Sequence, residues 1–236
     1  MDVAVIIAAA AIGLAAGSVV DAVSRRVFAE PDAPLLRRSD AALALRFWGG
    51  GTKPRRRLVQ LGTAVAFALL AGALGWRWAL PAYLWFGAVT VLLTVTDVDR
   101  KLIPNRITLP GGLVGGAALA LGGLLDGDPE RLLWMVIGAL GYFAFMLVLH
   151  LIVPGGLGFG DVKLAIILGG FLGFERLAYV VVGSIGAYVV GGLTSAVLLV
   201  TRVKRRKDTI PFGPYMVIGA YTALVFGERI IEWYRQ

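Results

Sequence analysis

Residues 131–153 read RLLWMVIGALGYFAFMLVLHLIV, with no charged side chain between Leu132 and Leu149. A bilayer core about 30 Å thick takes roughly 20 apolar residues of helix. A helix also satisfies its own backbone groups where water cannot. The stretch therefore predicts a membrane-spanning helix. Seven further segments qualify or nearly do, at about 3–22, 58–75, 79–96, 107–125, 162–174, 178–200 and 211–231. The segment 162–174 is short, as expected of a tilted, half-inserted or bent helix. Composition agrees, because apolar residues make up 58% and charged residues 16% of the 236-residue chain. Soluble proteins run at about 45–50% and about 25%, and the mean hydropathy here is +0.80. One soluble core of this size cannot hide that much apolar surface. The expected fold class is all-α: a polytopic membrane bundle of about eight transmembrane helices with short loops. Residues 1–236 are read as one membrane-embedded domain, with a basic loop at 24–57 inside it.

Charge supplies the orientation. The loops at 24–57, 97–106, 154–163 and 201–210 hold nine, three, one and five Lys/Arg, which is 18 of the 23 in the chain. Arg77, Arg131, Arg176, Arg229 and Arg235 fall on the other side. Basic loops stay in the cytoplasm, so both termini are expected outside, and the net charge of +8 is a topology signal. No nucleic-acid partner is expected; membrane lipid is. The first segment lacks a basic stretch before it and is followed by Arg25-Arg26, so it reads as a retained helix. A short amphipathic helix is expected near Ser39 to Trp48, with Asp40 close to its start. Trp76, Trp78 and Trp85 suit an interfacial aromatic belt. Because the chain has no cysteine, single introduced cysteines test this topology without background. Replacements at Thr52 and Lys204 are expected to react only from the cytoplasm, and one at Gly127 from outside. Labelling of position 127 from the cytoplasm alone overturns the eight-span topology.

The same absence of cysteine rules out disulfides, thiolate catalysis and cysteine-based zinc sites. One histidine, His150, excludes a His-rich metal centre. At the inner end of the fifth segment it reads more readily as a packing residue than a catalytic one. Chemistry must then come from acids, and acids at membrane depth are functional candidates. Most of the fifteen fall in loops or the C-terminal tail. Asp21, Glu30, Asp32, Asp40 and Asp208 lie in or beside basic loops, where solvation accounts for them. Three remain: Asp97 and Asp99 at the inner end of the third segment, and Asp161 at the start of the sixth.

Asp97 sits where hydrocarbon gives way to water, in Thr96-Asp97-Val98-Asp99-Arg100-Lys101-Leu102-Ile103-Pro104-Asn105. Residues two apart do not share a helix face, so Asp99 is expected to point elsewhere. Pro104 stops a helix, and Asn105 suits the cap of the next. Taken alone, the motif is also what a solvated turn looks like. Asp161 closes Pro154-Gly155-Gly156-Leu157-Gly158-Phe159-Gly160-Asp161-Val162-Lys163. Its glycines permit positive φ and close approach of another chain, and the helix dipole favours a carboxylate there. Both carboxylates fall at one membrane level on one side. Two such groups brought close cannot both ionise easily, so one keeps a proton while the other acts as base. That pair activates water against a peptide bond without metal or cofactor, and Gly158, Phe159 and Gly160 offer a place for an extended substrate.

At this point the sequence resembles the type IV prepilin peptidases, membrane aspartyl proteases with a Gly-x-Gly-Asp signature, here Gly158-Phe159-Gly160-Asp161. The turn Ile103-Pro104-Asn105-Arg106-Ile107-Thr108-Leu109-Pro110 resembles their first aspartate motif. Ile210-Pro211-Phe212-Gly213-Pro214 resembles the opening of their last helix. Gly17-Ser18 resembles a further element, although Asp21 stands where asparagine is expected. The resemblance implies Asp97 and Asp161 as the catalytic pair, with Asp99 accessory and Pro104, Pro211, Gly213 and Pro214 structural; Lys163, two residues after Asp161, reads either as an accessory to the pair or, more readily, as a positive-inside lysine. It implies removal of a short basic leader from prepilin or pseudopilin precursors, in the inner membrane and on its cytoplasmic side. Many members bind zinc through two Cys-x-x-Cys pairs in the first loop and N-methylate the product with S-adenosylmethionine. With no cysteine, zinc is not expected, and methyl transfer is left open. Two rivals stand against a protease: a proton-coupled carrier, whose acids belong near the membrane midplane, and a non-catalytic scaffold indifferent to either aspartate.

Overall fold

A computed structural model of the chain describes residues 2–30, 34–37, 40, 54–152, 157–202 and 210–236. Among the described residues the regular structure is helical throughout. The helices are α1 Val3–Ala29, α2 Pro54–Leu74, α3 Leu80–Arg100, α4 Asn105–Leu125, α5 Glu130–Ile152, α6 Phe159–Glu175, α7 Leu177–Val200 and α8 Gly213–Tyr234. Six of them, α1 to α5 and α7, are long and apolar enough to cross a membrane. The sixth helix has 17 residues, in keeping with its short apolar run. The chain is thus a polytopic helical membrane protein. Its residues gather into two compact units, 1–96 with 105–122, and 97–104 with 123–236.

In the first unit α1 lies against α2 where glycines remove side chains from the contact. A Cβ at Gly17 would stand 2.5 Å from the Gln60 Cα, so only a small residue lets the backbones meet. One buried polar contact fixes the register there: Gln60 Nε2 donates to Ser18 Oγ at 2.8 Å. The first helix runs to Ala29, past the expected end near 22, and this corrects the reading of Asp21 as a solvated loop acid. Asp21 is fully buried and paired with Arg25 at 2.6 Å and with Arg55. Two cations, one from its own helix and one from α2, offset the desolvation a lone buried carboxylate would suffer.

Asp40 likewise belongs to a built contact. It accepts from both Arg26 terminal nitrogens at 2.9 and 3.0 Å and from the Arg37 N–H at 2.8 Å. The Arg26 guanidinium, through that bidentate hydrogen bond, holds the Asp40 carboxyl below the usual carboxylate range. The rest of the Ser39 to Trp48 segment lies outside the described residues. Trp76 and Trp78 are exposed, as interfacial tryptophans should be, and Trp85 donates its indole N–H to the Gly111 carbonyl at 2.9 Å.

The second unit is built on α6, whose Leu164, Leu168 and Leu172 are fully buried. The fifth helix packs on it at Gly138 and Gly169, where a Cβ on either would fall within 2.4 Å of the other's carbonyl oxygen. A similar approach joins α7 to α8, since a Cβ at Gly219 would stand 2.2 Å from the Gly183 carbonyl oxygen. At the end remote from Asp161, Arg131 pairs with Glu175 at 3.3 Å and Arg176 with Glu228 at 2.6 Å. Close packing thus fixes the middle of α6, and the ion pairs fix its C-terminal end.

Candidate active site

Asp97 lies in the last turn of α3, and the chain stops being helical just beyond it. Lys101 adopts a left-handed φ of 54°, a conformation that commonly ends a helix, and its N–H donates to the Asp97 carbonyl at 2.7 Å. Pro104 then keeps the turn from continuing as helix. The fourth helix begins at Asn105 itself, so this residue opens the helix from inside rather than capping it from before.

The Asp97 side chain is 5% exposed. Its Oδ2 accepts from the Gly213 N–H at 3.0 Å. Gly213 is the first residue of α8, with proline next to it, and the first amides of a helix have no partner inside it. One of those orphan donors is therefore spent on Asp97. A Cβ at Gly213 would stand 2.7 Å from that oxygen, so the contact requires glycine.

Asp161 is the third residue of α6 and 7% exposed. Its Oδ2 accepts from the Gly158 N–H at 3.2 Å, while its own N–H donates to the Gly158 carbonyl at 3.0 Å. The helix dipole adds to the favourable field at this position. The expectation of positive φ in the glycine motif is corrected: Gly158 has φ −72°, and among the described glycines only Gly75 and Gly127 have positive φ. Gly155 and Gly156 lie outside the described residues. Gly160 is instead required for close approach, because a Cβ there would stand 2.9 Å from the Ile103 Cβ.

Ile103 thereby joins the three motifs. It is buried, presses on Gly160 beside Asp161, and its Cδ1 would lie 3.3 Å from a Cβ on Gly213. The turn after Asp97, the glycine loop before Asp161 and the start of α8 all meet on this one side chain. Two buried carboxylates, each steadied by one backbone N–H, form an arrangement that can share a proton and activate water.

The other predicted residues take separate places. Asp99 is exposed, on a different face from Asp97 as its spacing requires. The Lys163 ammonium lies 5.0 Å over the Phe159 ring, and Phe159, the first residue of α6, is half exposed. Pro211 and Pro214 flank Gly213 at the start of α8. Sequence reasoning missed two contributors. Ile103 carried no distinguishing signal, since Val98 and Leu102 in the same turn are also apolar. Tyr188, a phenol inside an apolar span, stacks 5.1 Å from Phe212 and donates to the Met146 sulfur at 3.2 Å.

Comparison with known proteins identifies a family. The model of the type IV leader peptidase family matches residues 84–195, a stretch that holds both aspartates. The chain is 36% identical over 186 residues to the prepilin leader peptidase/N-methyltransferase of Aeromonas hydrophila, covering 76% of this chain and 61% of that protein. Proteins of the same name match from Pseudomonas aeruginosa, at 30% identity over 77% of this chain and 62% of theirs, and from Bacillus subtilis, at 33% over 74% and 67%. The chain thus spans about three fifths of the length of the Aeromonas relative. No solved structure matches it. With the matched segment, the three motifs and the sustained identity in agreement, the chain belongs to the type IV leader peptidase family.

Proposed function

We propose that the protein is a membrane aspartyl endopeptidase in which Asp97 and Asp161 are the catalytic pair. Its substrates are prepilin or pseudopilin precursors with a short basic leader ahead of an apolar helix. The observation that carries this reading is that Gly213, whose N–H holds Asp97, and Gly160, next to the Asp161 that Gly158 holds, both close on the Ile103 side chain. One carboxylate takes a proton from water as the water oxygen attacks the scissile carbonyl carbon. The other, protonated, donates to the carbonyl oxygen. Collapse breaks the C–N bond, and the departing amine takes a proton from the pair. The Gly158-Phe159-Gly160 stretch, exposed at Gly158 and Phe159, receives the extended segment, since a helical peptide bond is shielded by its own hydrogen bonds.

Both acids lie at helix ends, Asp97 near the end of α3 and Asp161 at the start of α6, where a carrier would place them near mid-helix. With the basic loops in the cytoplasm, those ends face the cytoplasmic side of the inner membrane, where a basic leader and its scissile bond would lie. Co-expression with a pilin-type precursor, scored by a gel shift on leader removal, tests the reading. An unshifted precursor beside an abundant, correctly inserted enzyme overturns it.

Zinc independence belongs to the same proposal. A structural zinc site takes four ligands drawn mostly from cysteine and histidine, and the chain offers no cysteine and one histidine. Chelators are expected to leave cleavage unchanged in lipid-supplemented detergent. Loss of activity with chelator and its return with zinc counts against it. Proteolysis needs only the carboxylate pair and water. Methyl transfer from S-adenosylmethionine, carried in the relatives' names, is scored separately from the mass of the new N-terminus.

A further inference from the structure

His150 sits in the last turn of α5, outside every motif described above, yet it touches the glycine loop twice. Its Nδ1 lies 2.8 Å from the Leu157 carbonyl oxygen. A carbonyl only accepts, so Nδ1 carries the hydrogen. Its ring lies 5.7 Å from that of Phe159. The Leu157 carbonyl and the Gly158 N–H belong to a single peptide unit, which is planar and turns as one body. That same Gly158 N–H is the donor to Asp161 Oδ2. A hydrogen bond accepted by an amide carbonyl also polarises the amide and strengthens its N–H as a donor.

Resting on the aspartyl-protease reading, we infer that His150 is a positioning residue for Asp161, acting through the Leu157–Gly158 peptide plane. The tether fixes the direction of the backbone hydrogen bond that Asp161 receives from Gly158. The residues beside that plane explain why a side chain is needed. Gly158 has no side chain to anchor it, and Phe159 is half exposed. Without His150 the plane can rotate about its flanking bonds, and the N–H leaves the carboxylate.

Three replacements separate this from a packing role. In His150→Phe the aromatic contact to Phe159 is kept and the donor is lost. In His150→Asn the ring is lost, but an N–H remains where Nδ1 stood. In His150→Gln the N–H reaches the Nε2 position, beyond the carbonyl. Misplacing a catalytic group by about an ångström costs on the order of 10²-fold. Assayed on a synthetic precursor with a lysine-containing leader before an apolar helix, His150→Phe is expected to lower kcat by about 10–10²-fold with KM little changed. His150→Asn restores most of that loss, and His150→Gln does not. Should the Phe variant fail to accumulate, the comparison of Asn with Gln decides alone. A fully active His150→Phe, or Asn and Gln variants equally impaired, overturns the tether. Asp161→Asn, run alongside, keeps the two claims apart: an active Asp161→Asn removes the protease reading itself. An inactive one beside a normal His150→Phe removes only the inference drawn from His150.

Discussion

Asp161→Asn and Asp97→Asn are each expected to yield a folded, membrane-inserted chain that leaves its precursor uncut. Asparagine is nearly isosteric with aspartate, and its side-chain oxygen still accepts the N–H of Gly158 or Gly213. What it cannot do is take a proton from water or hand one to the substrate carbonyl. General acid–base groups contribute about 10²–10⁴-fold each. Groups that act as a unit are not additive, so the double variant should be little worse than either single one. Asp99→Asn is the control; that carboxylate is exposed and faces away, and substantial activity is expected to remain. The rate of the unmodified enzyme should peak between two apparent pKa values that belong to the pair and not to either residue. Normal leader removal by a folded Asp161→Asn enzyme would end the aspartyl-protease reading.

The parts of this arrangement that sequence reveals are those set by hydropathy and by local chemistry. Long uncharged runs such as 132–149 have one stable form in a bilayer, so the helices were legible from hydropathy, although α1 runs on to Ala29 beyond its apolar stretch. Charged groups at the edges of such runs stand out, and Asp97 and Asp161 were legible for that reason. Asp21 was not. Its solvated and buried readings have the same local sequence, and what decides between them is Arg55, 34 residues away and brought over by α2 packing. The glycines show a similar limit. Gly160 and Gly213 are required by what approaches them, an isoleucine and a carboxylate from another part of the chain. A sequence gives the small residue but not its neighbour, which is why close approach was an open possibility beside positive φ at Gly160 and its partner could not be named. His150 falls between the two cases, since its place near a helix end was legible and its carbonyl partner was not.

Gly213→Ala is expected to abolish most cleavage while leaving the bundle intact. The added Cβ would stand 2.7 Å from Asp97 Oδ2 and 3.3 Å from Ile103 Cδ1. Both are side-chain tips rather than backbone, so the fold can yield to the methyl group by moving them. Alanine is also a better helix former than glycine by roughly 1 kcal/mol in a helix interior, so the start of α8 should not be weakened. The carboxylate has no such latitude. To clear the methyl group it must swing off the Gly213 N–H, lose its hydrogen bond of 3.0 Å and leave the position from which it acts on Asp161. Ile103, pushed from the same side, bears in turn on Gly160. A displacement of about an ångström is worth on the order of 10²-fold in rate, and that is the expected fall in kcat. The unfolding temperature in detergent should stay within a few degrees of the parent. Gly183→Ala supplies the contrast: it lies in the α7–α8 contact, away from either carboxylate, and should move the unfolding temperature more than the rate. Full activity in Gly213→Ala would show that Asp97 does not depend on this amide for its place.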